Sequence, residues 1–97
     1  MLSGKQKGYL RGLGHHLEPV VHVGKDGVTE GLLGALGTAL EQHELIKVRV
    51  SETAPEDRHG TAEACAGGTN AELVGVLGRT LLLYRARDEE PAIKLPS

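Results

Sequence analysis

The sequence predicts an α/β protein, with one mixed four-stranded sheet and helices packed against a face of it, in the order α-β-α-β-α-β-β. Three observations carry this reading. Ile46, Val48 and Val50 alternate with Lys47 and Arg49, the period of two that marks a strand with one buried face and one basic, solvent-facing one. Ahead of it, Val28, Leu32, Leu33, Leu36 and Leu40 recur every 3.6 residues, so a helix precedes that strand. Near the carboxy end, the apolar runs Leu73 to Leu77 and Thr80 to Arg85 are separated only by Gly78-Arg79. That spacing fits a two-residue hairpin in which glycine supplies the positive φ of a II′-type turn. Helices between strands make some strand neighbours parallel, while the hairpin pair is antiparallel.

Each element has its own local justification. Ser3-Gly4-Lys5-Gln6 is a capping box, so the first helix starts there. Tyr9, Leu10, Leu13 and Leu17 give it an apolar stripe, Lys7, Arg11 and His15 give it a basic one, and Pro19 ends the segment. Gly8, Gly12 and Gly14 each cost roughly 1 kcal/mol of helix propensity relative to alanine, so this helix leans on tertiary contacts. Val20-Val21-His22-Val23 reads as a short strand lying mostly inside. Gly24-Lys25-Asp26-Gly27 forces a turn, and the second helix runs from Val28 to about His43. Pro55, Glu56 and Asp57 suit the start of a short third helix, with Ala62, Cys65 and Ala66 as its thin apolar stripe and Gly67-Gly68 as its stop. Asp88-Glu89-Glu90-Pro91 is a charged exit, after which Ala92 to Leu95 either docks as a last strand or lies along the surface. One domain is expected over residues 1–97, with a core over about 2–87 and an extension over 88–97.

Composition narrows the function classes. The chain carries 11 Lys and Arg against 13 Asp and Glu, a formal charge of −2, so bulk positive charge attracts no partner and a nucleic-acid binder would have to segregate its charges. One cysteine allows neither a disulfide framework nor a zinc ribbon within the chain. Two tyrosines, with no Phe and no Trp, remove the usual base-stacking platforms and turn the expectation toward contacts with nucleic-acid backbone. The amino terminus is polar and basic and no apolar run is long enough to span a bilayer, so a cytoplasmic protein with no membrane partner is expected.

The junction Gly24-Lys25-Asp26-Gly27 offers the clearest binding chemistry. Two glycines let the backbone turn tightly and approach a ligand, amides at the start of the next helix attract phosphate, and Lys25 adds a charge at the tip. A tight strand-to-helix connection with Asp26 as cap explains the same four residues. Walker and dinucleotide-binding spacings are absent. The basic residues gather on a few elements: Lys5, Lys7, Arg11 and His15 on the first helix, Lys25 in the loop, Lys47 and Arg49 on the strand, and Arg79, Arg85 and Arg87 near the last hairpin. Acids collect instead at Glu41 and Glu44, at Glu52 to Asp57 and at Asp88 to Glu90. These groupings make either a patch or ordinary solvated faces. His15, His16, His22, His43 and His59 show no metal-ligand spacing, and no cofactor motif occurs. Cys65 in its Ala-rich segment reads as a buried structural thiol, and Tyr84 as a core residue or else the single ring available to stack on a base. No paired acid and base emerges, which argues against an enzyme.

Several blocks together resemble one family. Leu2 to Lys7, Pro19 to Gly31 (with Val20-Val21-His22-Val23-Gly24-Lys25-Asp26-Gly27-Val28), His43-Glu44-Leu45-Ile46-Lys47-Val48 and Gly78 to Arg85 are similar in order and spacing to the CRM domain, the chloroplast RNA splicing and ribosome maturation module. The likeness is to its stand-alone bacterial YhbY-type form and spans about residues 2 to 96. It implies a fold similar to the carboxy-terminal domain of translation initiation factor three, RNA binding, and association with precursors of the large ribosomal subunit. It also implies that Gly24, Lys25, Asp26 and Gly27, with Lys5, Lys7, Lys47 and Arg85, contact RNA. Val28, Arg11 and Arg49 extend that set on the residue reading. The chain departs from the family's pattern between Gly60 and Asn70, which is rich in Ala and Gly, and at the acidic tail. The expected partner is ribosomal RNA bound by a monomer. A translation-factor-like ribosome binder and an adaptor that docks basic proteins through its acidic segments are the alternatives.

Overall fold

The computed structural model describes residues 2–97, and its elements follow the expected order. They are α1 (Gly4–Gly14), β1 (Pro19–Val23), α2 (Glu30–His43), β2 (Leu45–Val50), α3 (Arg58–Thr69), β3 (Glu72–Leu77) and β4 (Thr80–Tyr84). The strands form one sheet in the order β1-β2-β4-β3. β1 and β2 are parallel, with α2 as the crossover that a parallel pair requires, and the other two pairs are antiparallel. The β3–β4 hairpin turns on Gly78 at φ 58°, as its Gly-Arg loop demands.

Period-two alternation sorts side chains between the two faces of the sheet. Ile46, Val48, Val50, Leu81 and Leu83 point to one face, where they meet Leu36, Ala39 and Leu40 of α2 and Ala62 and Cys65 of α3. Leu36 and Leu40 are completely buried, and side chains of this kind each contribute about 1.5–3 kcal/mol through burial. Leu45, Leu82, Tyr84 and Val74 point to the other face and pack with Leu2 and Leu10, with Leu17, Ile93 and Leu95 against them. The helices thus occupy both faces, where the sequence reading placed them on one. α1 buries only Leu10 and Gly14, so it covers part of the second face and leaves His22 and Arg49 exposed.

Local signals succeeded at the caps and missed at some boundaries. The Ser3–Gln6 capping box forms in both directions, at 3.1 and 3.0 Å. α1 stops at Gly14, short of Pro19, and Tyr9 is left 44% exposed although it falls in the apolar stripe. β1 is an edge strand with Val20 49% exposed, not a mostly interior one. α2 begins at Glu30, and its cap is Thr29, whose hydroxyl accepts the Leu32 amide at 3.1 Å, so Asp26 does not cap it. α3, capped by Asp57, runs through Gly67-Gly68 and is ended by Asn70 in the left-handed region at φ 58°. Gly68 is a crossing point: a β-carbon there would lie 2.6 Å from a Leu33 methyl, so the Leu33 side chain would have to shift to admit one. Cys65 is buried as read, and burial pushes its thiol up to about 11. Residues 88–97 add no strand and lie along the second face.

Glu44 sits inside the molecule, not among surface acids. It ends α2 at φ 63° and is fully buried. Its Oε2 accepts the amide of Arg87 at 2.8 Å, and its Oε1 accepts those of Ala92 and Ile93 at 2.7 and 2.8 Å. Three charge-assisted bonds from the tail offset the cost of burying the carboxylate.

Candidate nucleic-acid interface

The parallel β1–β2 pair brings the loops after both strands to one end of the sheet. Val23 lies beside Val50, and the Ser51 amide donates to the Val23 carbonyl at 2.8 Å. The Val50 amide donates to the Arg79 carbonyl at 2.7 Å, so the hairpin turn reaches the same end. Topology therefore gathers the Gly24–Gly27 loop, the loop after β2 and Arg79.

Within the Gly24–Gly27 turn the two glycines have different reasons to be there. The Gly27 amide donates to the Gly24 carbonyl at 3.0 Å, closing the turn, and Gly27 sits at φ 71°. A β-carbon on it would also lie 2.9 Å from Cγ of Pro55. Gly24 is outside the left-handed region, and a β-carbon on it would meet nothing within 4 Å. The fold itself does not require glycine at position 24, and the backbone there is open to close approach. We expect Gly27→Ala to cost about 1–3 kcal/mol in urea denaturation, through the left-handed backbone and the Pro55 contact. Gly24→Ala should leave stability within about 0.5 kcal/mol while weakening ligand binding severalfold in a filter-binding titration.

With the Gly27 amide committed to the turn, the amides of Lys25, Asp26 and Val28 remain without an intrachain acceptor among the described residues. Lys25 is exposed at the tip, and the amino-terminal end of α2 stands behind the loop. Asp26 and Glu30 bring negative charge nearby, so attraction of an anion rests on Lys25 and those amides.

The open sheet face continues the site. Arg49 is paired in register with His22, and both are exposed. Lys47, half-buried, stands two residues earlier on the same face, between that pair and the end of α1. Arg11 and His15 reach the cavity that Lys47 lines. Among the described residues only two ion pairs form, Arg79 with Glu52 at 4.0 Å and Arg85 with Glu41 at 3.1 Å. Lys25, Lys47, Arg49 and Arg11 thus have no ion-pair partner among the described residues, while Glu52 lines the groove beside His22 and Arg49.

Three expected contacts fall elsewhere. Arg85 follows β4 at the other end of the sheet, about 17 Å away at the usual rise per strand residue. Its guanidinium donates to the carbonyls of Thr69 at 2.6 Å and Gly37 at 3.3 Å and to Glu41, bolting α2 to the end of α3. Lys5 and Lys7 occupy the first half of α1. There Leu2 donates to Glu72 and Gln6 to the Pro96 carbonyl, so these lysines lie toward the start of β3 and the tail, not at the loop. The residue reading left out His22, whose place beside Arg49 depends on strand register that alternation alone does not reveal.

A mixed sheet with helices on both faces, Lys47 and Arg49 on its open part and a glycine-bounded loop at one end defines a small α/β domain. The chain belongs to the CRS1/YhbY (CRM) domain family, whose pattern it matches over residues 2–85. It is 44% identical over 96 residues to the probable RNA-binding protein YqeI of Bacillus subtilis, covering 99% of this chain and 100% of that protein. It is 46% identical over 95 residues to an RNA-binding protein of Haemophilus influenzae, covering 98% and 95%. The solution structure of a hypothetical Staphylococcus aureus protein, a candidate RNA binder, shares the fold with a TM-score of 0.84 and 41% identity, covering 99% of this chain and 100% of that one.

Proposed function

We propose that this chain binds RNA backbone through the Gly24–Gly27 loop and the open sheet face, and that its target is ribosomal RNA during assembly of the large subunit. The reading places it in the cytoplasm as a monomer and assigns it binding without a chemical step. The observation that carries it is that the unengaged amides around Lys25 and the Arg49 guanidinium, which has no ion-pair partner among the described residues, lie at one end of the sheet, with Lys47 further along the same face. Phosphates can be held there by amides and cations together, and affinity from such contacts needs no aromatic ring. The relatives' names support RNA as the ligand class, and the family resemblance supports the ribosomal target. Gly24, Lys25, Asp26, Gly27, Val28, Lys47, Arg49 and Arg11 form the proposed contact set, with Lys5 and Lys7 peripheral and Arg85 structural.

Because the ligand is a polyanion, binding should release counterions. With about 3 to 5 phosphates engaged, log K should fall against log salt with a slope of about −2 to −5. Filter binding of ribosomal RNA across a salt series checks this, and a flat response would remove the electrostatic mechanism. Sucrose-gradient sedimentation of the protein from cells tests the target, with co-migration on large-subunit precursors as the expected result.

A further inference from the structure

Between the end of α1 and the β3–β4 hairpin lies a cavity of about 310 Å³, at the lower bound of the roughly 300–1,000 Å³ that small organic ligands occupy. Its lining is mostly apolar: Leu82 is buried and Leu77 stands at its edge 79% exposed, while the Val76 side chain turns to the first core. Arg11, His15 and Lys47 line it as well, so an apolar slot is bordered by two cations and an imidazole on the face already described as basic. An occupant matching this arrangement is flat and apolar in one part and anionic in the next, which is the chemistry of a nucleotide. Arg11 adds a geometric point. Its Nη1 comes within 3.5 Å of the Val74 carbonyl, and its aliphatic stem passes Gly75, where an added β-carbon would sit 3.6 Å from Cδ. The guanidinium is thus tethered along β3, and such planes stack on bases as aromatic rings do.

We propose that this cavity takes one unpaired nucleobase of a bound RNA, its ring against Leu82 and Leu77 under the Arg11 guanidinium, with the adjoining phosphate on His15 and Lys47. The proposal rests on the RNA-binding reading and adds base contact to it. It also explains how a chain with two tyrosines, one of them buried, holds a base: leucine and arginine replace the ring.

The test compares a twelve-nucleotide oligoadenylate with an abasic ribose-phosphate strand of the same length. Wild type should bind the oligoadenylate roughly tenfold more tightly, the scale of one stacked base. Gly75→Leu directs a side chain into the slot, since a β-carbon there meets only ordinary contacts. It should erase that preference while leaving affinity for the abasic strand unchanged. Equal wild-type affinity for the two strands, or a preference that survives Gly75→Leu, overturns the proposal. A measurement on the wild-type fold decides independently of that variant. Amide shifts at Gly75, Leu77 and Thr80 with adenosine monophosphate, but not with ribose 5-phosphate, are expected, and their absence overturns it. Failure of the backbone reading looks different, because Lys25→Glu would then bind both strands as wild type does.

Discussion

Replacing Glu44 with alanine is expected to lower the unfolding free energy by about 3 kcal/mol, the scale set by stranding buried donors that had a charged acceptor. The loss has an identifiable origin. Three tail amides donate to this carboxylate, and without it the amides of Arg87, Ala92 and Ile93 lose their acceptor and the tail its anchor on the second face. Urea denaturation followed by circular dichroism measures the loss, and a change below about 1 kcal/mol would show that the tail contributes little.

Acid should act through the same group. Burial pushes the Glu44 carboxyl up, but the amides of Arg87, Ile93 and Ala92, with the charge of Arg87, outweigh it and leave the group below its usual 4.5. A carboxyl lowered in the folded state adds stability above its unfolded value, and this is lost as pH falls through the folded one. Wild type should therefore exceed Glu44→Gln in stability at pH 7, and the gap should close below pH 4.5 as the carboxyl takes up its proton. A gap that does not change with pH would assign the effect to shape alone.

Glu44 also shows where reading the sequence stops. Strands and caps were legible because their signals are local: the alternation of Ile46, Val48 and Val50, the Ser3–Gln6 box, and the Gly78-Arg79 turn each act within a few residues. The Lys47 and Arg49 face was legible for the same reason. Glu44 and Arg85 look like surface charges in the sequence because their partners lie 43 to 49 residues away for one and 16 to 48 for the other. Gly67-Gly68 looks like a helix stop, since glycine weakens helices, but Gly68 serves the contact with Leu33 and Asn70 supplies the stop. Charge clustering on α1 suggested that Lys5 and Lys7 join the loop. Helix direction across the sheet, a tertiary property, sends them the other way, and it also builds the cavity that no sequence motif announces.

The double reversal Lys25→Glu with Arg49→Glu should reduce affinity for ribosomal RNA by about 100-fold at low salt, or about 2.7 kcal/mol. On the proposed interface each change removes a phosphate contact and sets a like charge in its place, so the log–log salt slope should also become shallower by about two. Neither residue has an ion-pair partner among the described residues and both are exposed, so thermal stability should hold while binding falls. Lys5→Glu with Lys7→Glu makes the same change in net charge and serves as the control. A general attraction to the whole molecule predicts equal losses for the two pairs, whereas an interface built at the loop end predicts a much smaller loss for the α1 pair. Fluorescence anisotropy with labelled ribosomal RNA over a salt series separates these outcomes. Equal weakening would move recognition away from the loop end, because two charges on the first half of α1 would then matter as much as the two that β1 and β2 bring together.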